Sequence, residues 1–405
     1  MPVREALDFL LAAARVVDGV EDVDTLAANG RVLAADQVSG LDVPAADNTQ
    51  MDGYAVRALD CAGGAATLRI AQRIPAGTVG QPLEPGTAAR IFTGALIPQG
   101  ADAVVMQEQC ETQPGSDQVT IRHAPRPGEW IRRAGEDIVA GSVILPAGTR
   151  LRSQELGLAS SVGLARLPVR RRLRVAVFFT GDELAMPGEA LKPGAIYNSN
   201  RFTLRGLLEN LGCEIADYGI VPDSLQATRD TLRAAAARHD LIITSGGVSV
   251  GEEDHIKPAV EAEGRLTMWQ IAVKPGKPLA FGEVRRAAGS GSAFFLGLPG
   301  NPVSSFITFL LFVRPFLLRL QGVTGVVEPR AIPLRADFDW AKPDRRNEFL
   351  RARINDAGGL DLFPNQGSGV LTSTVWAHGL VDNPPGQAIA KGDIVRFIPF
   401  AALQY

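Results

Sequence analysis

Between residues 174 and 320 the sequence alternates continuous apolar runs with segments of helical periodicity. The runs RVAVFFT at 174–180 and DLIITSGG at 240–247 are apolar at successive positions, which is typical of strands buried on both faces of a sheet. Helical periodicity is found at 200–212, 224–239 and 302–320, and further strands are predicted at 213–221 and 292–298. Because parallel strands need crossover connections, this alternation predicts a doubly wound, largely parallel α/β domain.

On either side of this domain, short apolar pieces are separated by glycine and proline. The 43 glycines and 27 prolines are spread along the chain, which favours several small domains over two large ones. The first 30 residues are predicted to be helical, and the β-like pattern after Glu328 predicts a small C-terminal barrel. The predicted domains are residues 1–45 together with 141–170, an inserted β-rich domain at 46–140, the α/β domain at 171–324 and a β-barrel-like domain at 325–405.

The composition argues against several classes of protein. With 41 Lys and Arg against 44 Asp and Glu, the net charge of -3 provides no basic field for a nucleic-acid backbone. The longest apolar stretch, near 306–318, contains Arg314 and Pro315, so no transmembrane helix is expected. Three cysteines and four histidines match no metal or redox spacing, and charged residues occupy the place of a signal peptide, so we predict a cytoplasmic protein.

Polar residues follow the predicted strands of the α/β domain at four places, namely 180–183, 245–254, 274–278 and 299–302. The carboxyl ends of the strands of a doubly wound sheet form its binding crevice. Glycine there lets a backbone N–H approach a phosphate oxygen, and Lys274 and Lys277 supply positive charge. Glu183 and Asp254 offer the hard oxygen ligands that Mg²⁺ prefers. The sequence therefore predicts a local anion site in this crevice.

Each of these signals also has an ordinary structural explanation. Glycine is a common turn residue after a strand, Pro299 and Pro302 suit a strand-to-helix turn, and Asn301 suits a helix N-cap. Only their joint placement at one predicted edge favours function. The segments 47–57 and 132–137, and Thr93 in a separate turn, are weaker signals because turns and charge clusters are usually solvated.

Five motifs occur in a fixed order: MDGYAVR at 51–57, TGDEL at 180–184, TSGGVSVGEED at 244–254, KPGKP at 274–278 and GLPGNPVS at 297–304. This set resembles the MoeA family of molybdopterin molybdenumtransferases, whose animal counterpart is the E domain of gephyrin. The resemblance covers nearly the whole chain. It implies an elongated four-domain protomer, an α/β domain similar to that of the pterin adenylyltransferases, and a homodimer whose active site lies between subunits.

The resemblance implies an enzyme for the last step of molybdenum cofactor assembly. Adenylylated molybdopterin and molybdate would give the molybdenum cofactor and AMP in a Mg²⁺-dependent reaction. The implied partners are a pterin adenylyltransferase and the apo-molybdoenzymes that receive the cofactor, with no nucleic acid and no membrane. Whether molybdate or tungstate is preferred stays open, because the two anions differ little in size and charge.

The resemblance and the chemistry of anion binding together suggest roles for individual residues. Asp52, Thr93, Asp137, Glu183, Lys274 and Lys277 are the catalytic candidates, with Asp52 the strongest. The substrate-binding candidates are Thr180, Gly181, Ser245, Gly246, Gly247, Ser249, Pro299, Asn301, Pro302, Arg346, Arg351, Ser368 and Ser373. The metal candidates are Glu183, Asp223 and Asp254, although Asp223 could equally mark the start of a helix.

Two other functions use the same pattern. One is a related adenylyltransferase or pyrophosphohydrolase built on the α/β module. The segments MDGYAVR and RAGEDI argue against this alternative, because they lie outside that module. The other is a non-enzymatic scaffold that binds proteins through a dimer like that of the gephyrin E domain. Retention of the full set of acids and lysines argues against loss of catalysis.

Overall fold

The computed structural model describes residues 1–248, 255–276, 278–289 and 291–403. Within these ranges, the helices are α1 Val3–Ala13, α2 Ser153–Ser161, α3 Ser199–Asn210, α4 Leu225–Ala236, α5 Ile256–Glu263, α6 Pro302–Thr308, α7 Arg314–Leu320 and α8 Thr372–Trp376. A π-helical turn at Phe309–Val313 joins α6 to α7, so the helix predicted at 302–320 is continuous.

The strands before residue 171 are short. They are β1 Val20–Asp24, β2 Gln37–Val38, β3 Asn48–Thr49, β4 Gly53–Val56, β5 Ala66–Ile74, β6 Thr87–Ile91, β7 Ala103–Met106, β8 Cys110–Glu111, β9 Gln118–Ile121, β10 Ile131–Arg132, β11 Val143–Leu145 and β12 Arg166–Arg170. Six of them form one sheet in the order β7-β4-β6-β5-β9-β8. The pairs β1–β12 and β2–β11 bring the first segment against the segment that follows this sheet.

The prediction of helix throughout the first 30 residues is wrong beyond residue 13. Ala14 is extended and Gly19 has a φ of 110°, which ends the helix and turns the chain into β1. Helix α1 buries Leu7 and Leu10 in the core of the α/β domain. Its apolar face is therefore covered by the long helix at 302–320 and not by its own neighbours in sequence.

The α/β domain contains β13 Arg174–Thr180, β14 Leu184–Ala185, β15 Ile196–Tyr197, β16 Glu214–Val221, β17 Leu241–Ser245, β18 Gly264–Gln270, β19 Val273–Lys274, β20 Pro278–Arg285 and β21 Ser292–Leu298. Its main sheet has the order β16-β13-β17-β21-β20-β18, with four parallel strands and two antiparallel strands at one side. Val175 and Val177 of β13 face one apolar cluster, whereas Ala176 and Phe178 face the other. This alternation explains the continuous apolar run, because helices cover both faces.

The continuous helix at 302–320 is long and apolar enough to cross a membrane, but 94% of its most apolar window is buried inside the protein. Its Arg314 donates hydrogen bonds to the carbonyl oxygens of Val327 and Ala402. Burial lowers the pKa of this guanidinium to about 10. The helix therefore forms the centre of the largest apolar core.

The C-terminal region forms a sheet that is close to a barrel. Its strands are β22 Ile332–Arg335, β23 Asn347–Ile354, β24 Leu360–Leu362, β25 Gly379–Asn383 and β26 Ile394–Pro399. The order is β19-β23-β25-β26-β22, with β24 paired to β23. Strand β19 comes from the α/β segment and pairs in parallel with β23, so Lys274 lies beside Glu348. The sheet thus includes Lys274, a residue of the predicted anion site.

A partly buried ion pair joins the N-terminal region to the α/β domain. Asp240 accepts two hydrogen bonds of 2.7 Å from Arg171 and one of 2.9 Å from the backbone N–H of Arg174. Burial raises the pKa of Asp240, but these hydrogen bonds outweigh it and hold the pKa below the ordinary value of 3.8. The carboxylate therefore stabilises the fold above that value, and its contribution is lost as the pH falls through the folded pKa.

Asp240→Asn is accordingly expected to lower the free energy of unfolding by about 2 kcal/mol at pH 7. The difference from the wild type should shrink as the pH falls below 3.8, where the unfolded carboxyl is already protonated. Denaturant unfolding between about pH 2 and about pH 7 measures both, because this range extends well below the pKa of an unfolded aspartate. Asp8→Asn, which removes an exposed pair with Arg4, is the control and should change little.

Candidate active site

A cleft of about 690 Å³ lies at the carboxyl ends of β13, β17 and β21. The loops after these strands form its walls, together with the turn after β19 and residues 366–368 of the C-terminal region. The predicted site residues that line it are Thr180, Gly181, Glu183, Asp223, Ser245, Gly246, Gly247, Lys274, Pro299, Asn301, Pro302, Arg346 and Ser368. Three other candidates, Ser249, Asp254 and Lys277, lie outside the described residues.

The glycine turn after β17 is packed against the end of β13. Gly246 has a φ of 100°, and a Cβ at this position would lie 2.4 Å from the carbonyl oxygen of Thr180. The N–H of Gly246 donates to the carbonyl of Leu298 at the end of β21. Glycine is therefore required both by the backbone conformation and by the close approach of two strand ends.

Asn200 ties these loops together from the first turn of α3. Its Nδ2 donates to Ser245 Oγ at 2.8 Å and to the carbonyl of Gly300 at 2.7 Å. Ser245 Oγ in turn donates to the carbonyl of Pro299 at 2.9 Å. Asn198, the N-cap of α3, accepts from the N–H of Arg201. The helix start thus holds the loops after β17 and β21 in register.

Among the described residues of the cleft, three buried polar atoms have no hydrogen-bond partner. They are Thr180 Oγ1, Asn198 Nδ2 and Asn200 Oδ1. A buried polar group without a partner costs free energy, about 1–3 kcal/mol each. Polar side chains with unused hydrogen-bonding capacity therefore surround the cleft.

Lys274 contributes the positive charge of the cleft. Its Nζ lies 3.0 Å from Glu348 Oε1 and 3.4 Å from Asp344 Oδ2. Glu348 is fully buried, and its other oxygen accepts from Trp340 Nε1 at 2.8 Å and from the N–H of Asp344 at 3.0 Å. Burial raises the pKa of Glu348, but these hydrogen bonds lower it by more, so the carboxyl is ionised at neutral pH.

Arg346 is the second cation that lines the cleft. Its guanidinium forms two hydrogen bonds with Asp344, at 2.9 and 3.0 Å. These bonds hold the pKa of Asp344 far below its usual range. Asp344 thus faces both Arg346 and Lys274 and fixes the distance between the two cations.

Arg351 and Ser373 do not line the cleft. Arg351 is fully buried in the C-terminal region, where burial lowers its pKa to about 10. It donates to Ser373 Oγ and to the carbonyls of Phe349 and Gly367. Because Gly367 belongs to the cleft-lining loop, Arg351 supports the position of Ser368 from behind.

Asp52 and Thr93 lie together in the inserted β-rich region. Asp52 Oδ1 accepts from the N–H of Thr93 at 2.8 Å and from its hydroxyl at 2.7 Å. Both bonds lower the pKa of Asp52, and the bond from the backbone N–H of Thr93 has the larger effect. Asp137 is exposed and bonds through its N–H to the carbonyl of Val43. None of the three lines the cleft of its own chain.

Comparison with known families accounts for almost the whole chain. The MoeA N-terminal region (domain I and II) matches residues 1–163, a probable molybdopterin binding domain matches 176–319, and the MoeA C-terminal region (domain IV) matches 333–400. The chain belongs to the MoeA family of molybdopterin molybdenumtransferases. The cleft lies mainly in the segment that matches the molybdopterin binding domain.

Relatives in this family match over most of their lengths. A molybdopterin molybdenumtransferase of Haemophilus influenzae is 40% identical over 92% of this chain and 92% of its own. One from a Nostoc species is 36% identical over 95% and 90% of the two chains. The crystal structure of a MoeA protein from Pyrococcus horikoshii, 29% identical, covers 98% of this chain and 99% of its own with a TM-score of 0.84. The predicted fold and the prediction of an enzyme of this family are confirmed.

Sequence reasoning missed several cleft residues in this member of the MoeA family. Asn198, Asn200, Gln366 and Gly367 line the cleft but were not predicted. The signal for the two asparagines was their position at the start of a helix that follows a turn, a place where asparagine usually serves only as a cap. Gln366 and Gly367 gave no signal, because their approach to the cleft depends on the packing of the C-terminal region.

Proposed function

We propose that this enzyme inserts molybdenum into adenylylated molybdopterin, giving the molybdenum cofactor and AMP. Water would attack the phosphorus on the molybdopterin side of the phosphoanhydride, so that a new P–O bond forms and AMP leaves. The two dithiolene sulfurs would replace two oxygens of molybdate, which are protonated and leave as water. The observation that carries the proposal is the meeting of two cations, a glycine turn and unpartnered buried polar atoms in one cleft of a MoeA family member. Curated relatives named molybdopterin molybdenumtransferase support it.

The cleft residues would bind the substrate at both its pterin and its phosphate groups. Molybdate and the phosphoanhydride are anions, and Lys274 and Arg346 supply charge-assisted hydrogen bonds to such groups. The N–H groups of Gly181 and Gly247, together with Ser368, would add neutral donors. Thr180, Asn198 and Asn200, which line the cleft, would surround the polar ring system.

Glu183 and Asp223 would hold the Mg²⁺ ion that the proposed reaction requires. Both line the cleft, and no cluster of three metal-binding side chains occurs within the described residues. This pair fits Mg²⁺, which usually binds one or two carboxylates together with phosphate oxygens. Bound there, the ion would neutralise charge on the phosphoanhydride. Asp254 is the third proposed ligand.

We propose a homodimer in which Asp52, Thr93 and Asp137 of one subunit complete the cleft of the other. These residues lie away from the cleft of their own chain. Apolar side chains of the N-terminal region are exposed in one protomer at 47–60%, namely Val20 of β1, Val38 of β2, Val143 of β11 and Val139 in the turn before β11. Such a surface is typical of an interface.

Mixed dimers test this arrangement. Co-expression of Asp52→Asn and Lys274→Met chains with different tags should give heterodimers with one intact site of two. A random mixture should therefore recover about one quarter of wild-type turnover, although each parent is inactive. No recovery in isolated heterodimers would show that both residues serve the same chain's cleft and would contradict the shared site.

Substitution of Arg346 is expected to weaken substrate binding, whereas substitution of Arg351 is expected to lower stability. Arg346→Met should raise the KM for the adenylylated substrate about tenfold or more, because a charge-assisted hydrogen bond is lost. Arg351→Met should lower the free energy of unfolding by about 2 kcal/mol, because two buried carbonyl groups lose their donor. Steady-state kinetics and denaturant unfolding of both variants measure this. If both variants changed the KM equally and neither changed the stability, the proposed difference between Arg346 and Arg351 would be contradicted.

The protein is proposed to act in the cytoplasm, between an adenylyltransferase that supplies its substrate and the apo-enzymes that accept the cofactor. Its three cysteines are unpaired thiols, as expected for a reducing compartment. Burial raises the pKa of Cys213 to about 12, so it is unreactive. The thiols are therefore structural, and nothing in the proposed reaction uses them.

The deciding experiment measures AMP release from adenylylated molybdopterin and Mg²⁺, with and without molybdate. We expect molybdate to stimulate release and the product to activate an apo-molybdoenzyme. The Lys274→Met variant is the matched control for spontaneous hydrolysis. Binding of the substrate without AMP release, under any oxyanion, would overturn the proposed function in favour of a carrier or scaffold.

A further inference from the structure

Glu348 is a fully buried carboxylate that lies next to the cleft without lining it. It belongs to β23 of the C-terminal region and pairs in register with Lys274 of β19. Four donors converge on it: Lys274 Nζ, Trp340 Nε1, the N–H of Asp344 and Asn383 Nδ2, the last at 3.4 Å. Lys274 alone is a cation, and among the described residues no other cation pairs with Glu348.

The two oxygens of this carboxylate have separate tasks. Oε2 accepts from Trp340, Asp344 and Asn383, all of the C-terminal region. Oε1 accepts from Lys274, which the sheet pairing delivers from the α/β segment. One oxygen thus fixes the carboxylate in its own domain, and the other is free to hold the lysine.

An ammonium group has three N–H donors. Glu348 accepts one at 3.0 Å and Asp344 lies 3.4 Å away, whereas the Lys274 side chain remains 35% exposed towards the cleft. At least one donor can therefore reach an anion while another stays with Glu348. A flexible lysine side chain loses conformational entropy when a ligand orders it. Because Glu348 already holds the ammonium of Lys274, less of this entropy is lost when the anion binds.

We infer that Glu348 is a positioning residue that holds the ammonium of Lys274 in place for the substrate anion. The inference rests on the proposed function, which assigns Lys274 to that anion. The C-terminal region then contributes to the site in two ways, by Arg346 and Ser368 at the cleft and by a buried carboxylate that acts through a residue of another domain.

Glu348→Gln separates these contacts. Glutamine keeps an acceptor oxygen for Trp340 and the N–H of Asp344, but its amide group is a donor and cannot accept from the ammonium. The variant therefore retains the contacts that hold the domain and loses the lysine. Trp340→Phe is the second variant, because it removes a donor to Oε2 and loosens the carboxylate without touching Lys274.

The test is a double-mutant cycle on binding of adenylylated molybdopterin to the full-length protein, together with kcat and KM. Glu348→Gln should raise the Kd and KM about tenfold, a typical loss for a charge-assisted hydrogen bond. In a Lys274→Met background the same change should have less than about twofold further effect, because the two residues act as one unit. Trp340→Phe should shift the Kd in the same direction by a smaller factor.

Glu263→Gln is the matched control. Glu263 is also a nearly buried glutamate, and it pairs with Arg229 and Arg233, none of which lines the cleft. It should lower thermal stability without changing the Kd, which separates a loss of structure from a loss of positioning.

Two results would overturn the inference. Glu348→Gln could bind substrate as the wild type does, or its effect could be as large in the Lys274→Met background as alone. A failure of the proposed function has a different signature, namely wild-type protein that binds the adenylylated substrate and releases no AMP. Because the double-mutant cycle measures only substrate binding, it still tests the role of Glu348 in that case.

Discussion

Asp52→Asn is expected to lower kcat by about 10²- to 10⁴-fold, the range for loss of a general acid or base. The side chain is partly exposed and its carboxylate is held by two hydrogen bonds from Thr93. These bonds lower its pKa, so it is ionised at neutral pH and able to orient or deprotonate an attacking group. Asparagine keeps the acceptor for Thr93 and removes only the charge. AMP release and circular dichroism would show lost turnover in a folded protein.

Asp60→Asn is the matched control for this change. Asp60 lies in the same β-rich region, where its carboxylate accepts from the N–H of Gly86 and faces Arg57. We expect it to affect thermal stability and leave kcat unchanged. If Asp52→Asn turned over at the wild-type rate, Asp52 would have no catalytic role and the shared-site proposal would lose its main residue.

Gly246→Ala is expected to abolish substrate binding and to destabilise the α/β domain by about 3 kcal/mol, from the left-handed backbone and from overpacking. The φ of 100° disfavours any side chain, and a Cβ would lie 2.4 Å from the carbonyl oxygen of Thr180. Relief of this clash must separate the ends of β13 and β17, which carry the cleft residues Thr180 and Ser245. Denaturant unfolding and a substrate titration measure the two effects.

Gly300→Ala provides the control in the same cleft. Its φ is not in the left-handed range, and a Cβ there would meet only the Cα of Gly246 at an ordinary 3.7 Å. Its stability should change by less than about 1 kcal/mol. Equal damage from both substitutions would mean that the cleft rejects any added methyl group and that the conformation of Gly246 is not the cause.

The α/β domain and its binding edge could be predicted because their signals are local. Strands covered on both faces must be apolar at successive positions, as at 174–180 and 241–245, and their carboxyl ends must meet where the sheet is parallel. The polar residues that follow these strands therefore reach one cleft whatever the details of packing. The five ordered motifs indicated the family from the sequence for the same reason, because each motif is a run of consecutive residues.

Tertiary structure alone decided which cations serve the cleft and what holds them. Arg346 and Arg351 lie five residues apart, yet one reaches the cleft and the other is buried behind it, because Arg346 precedes β23 whereas Arg351 lies inside this strand in the packed C-terminal sheet. Glu348 meets Lys274 across 74 positions of sequence. The same holds for Asp52, which shares no cleft with Lys274 in its own chain. Such contacts depend on how domains pack, and no local spacing encodes them.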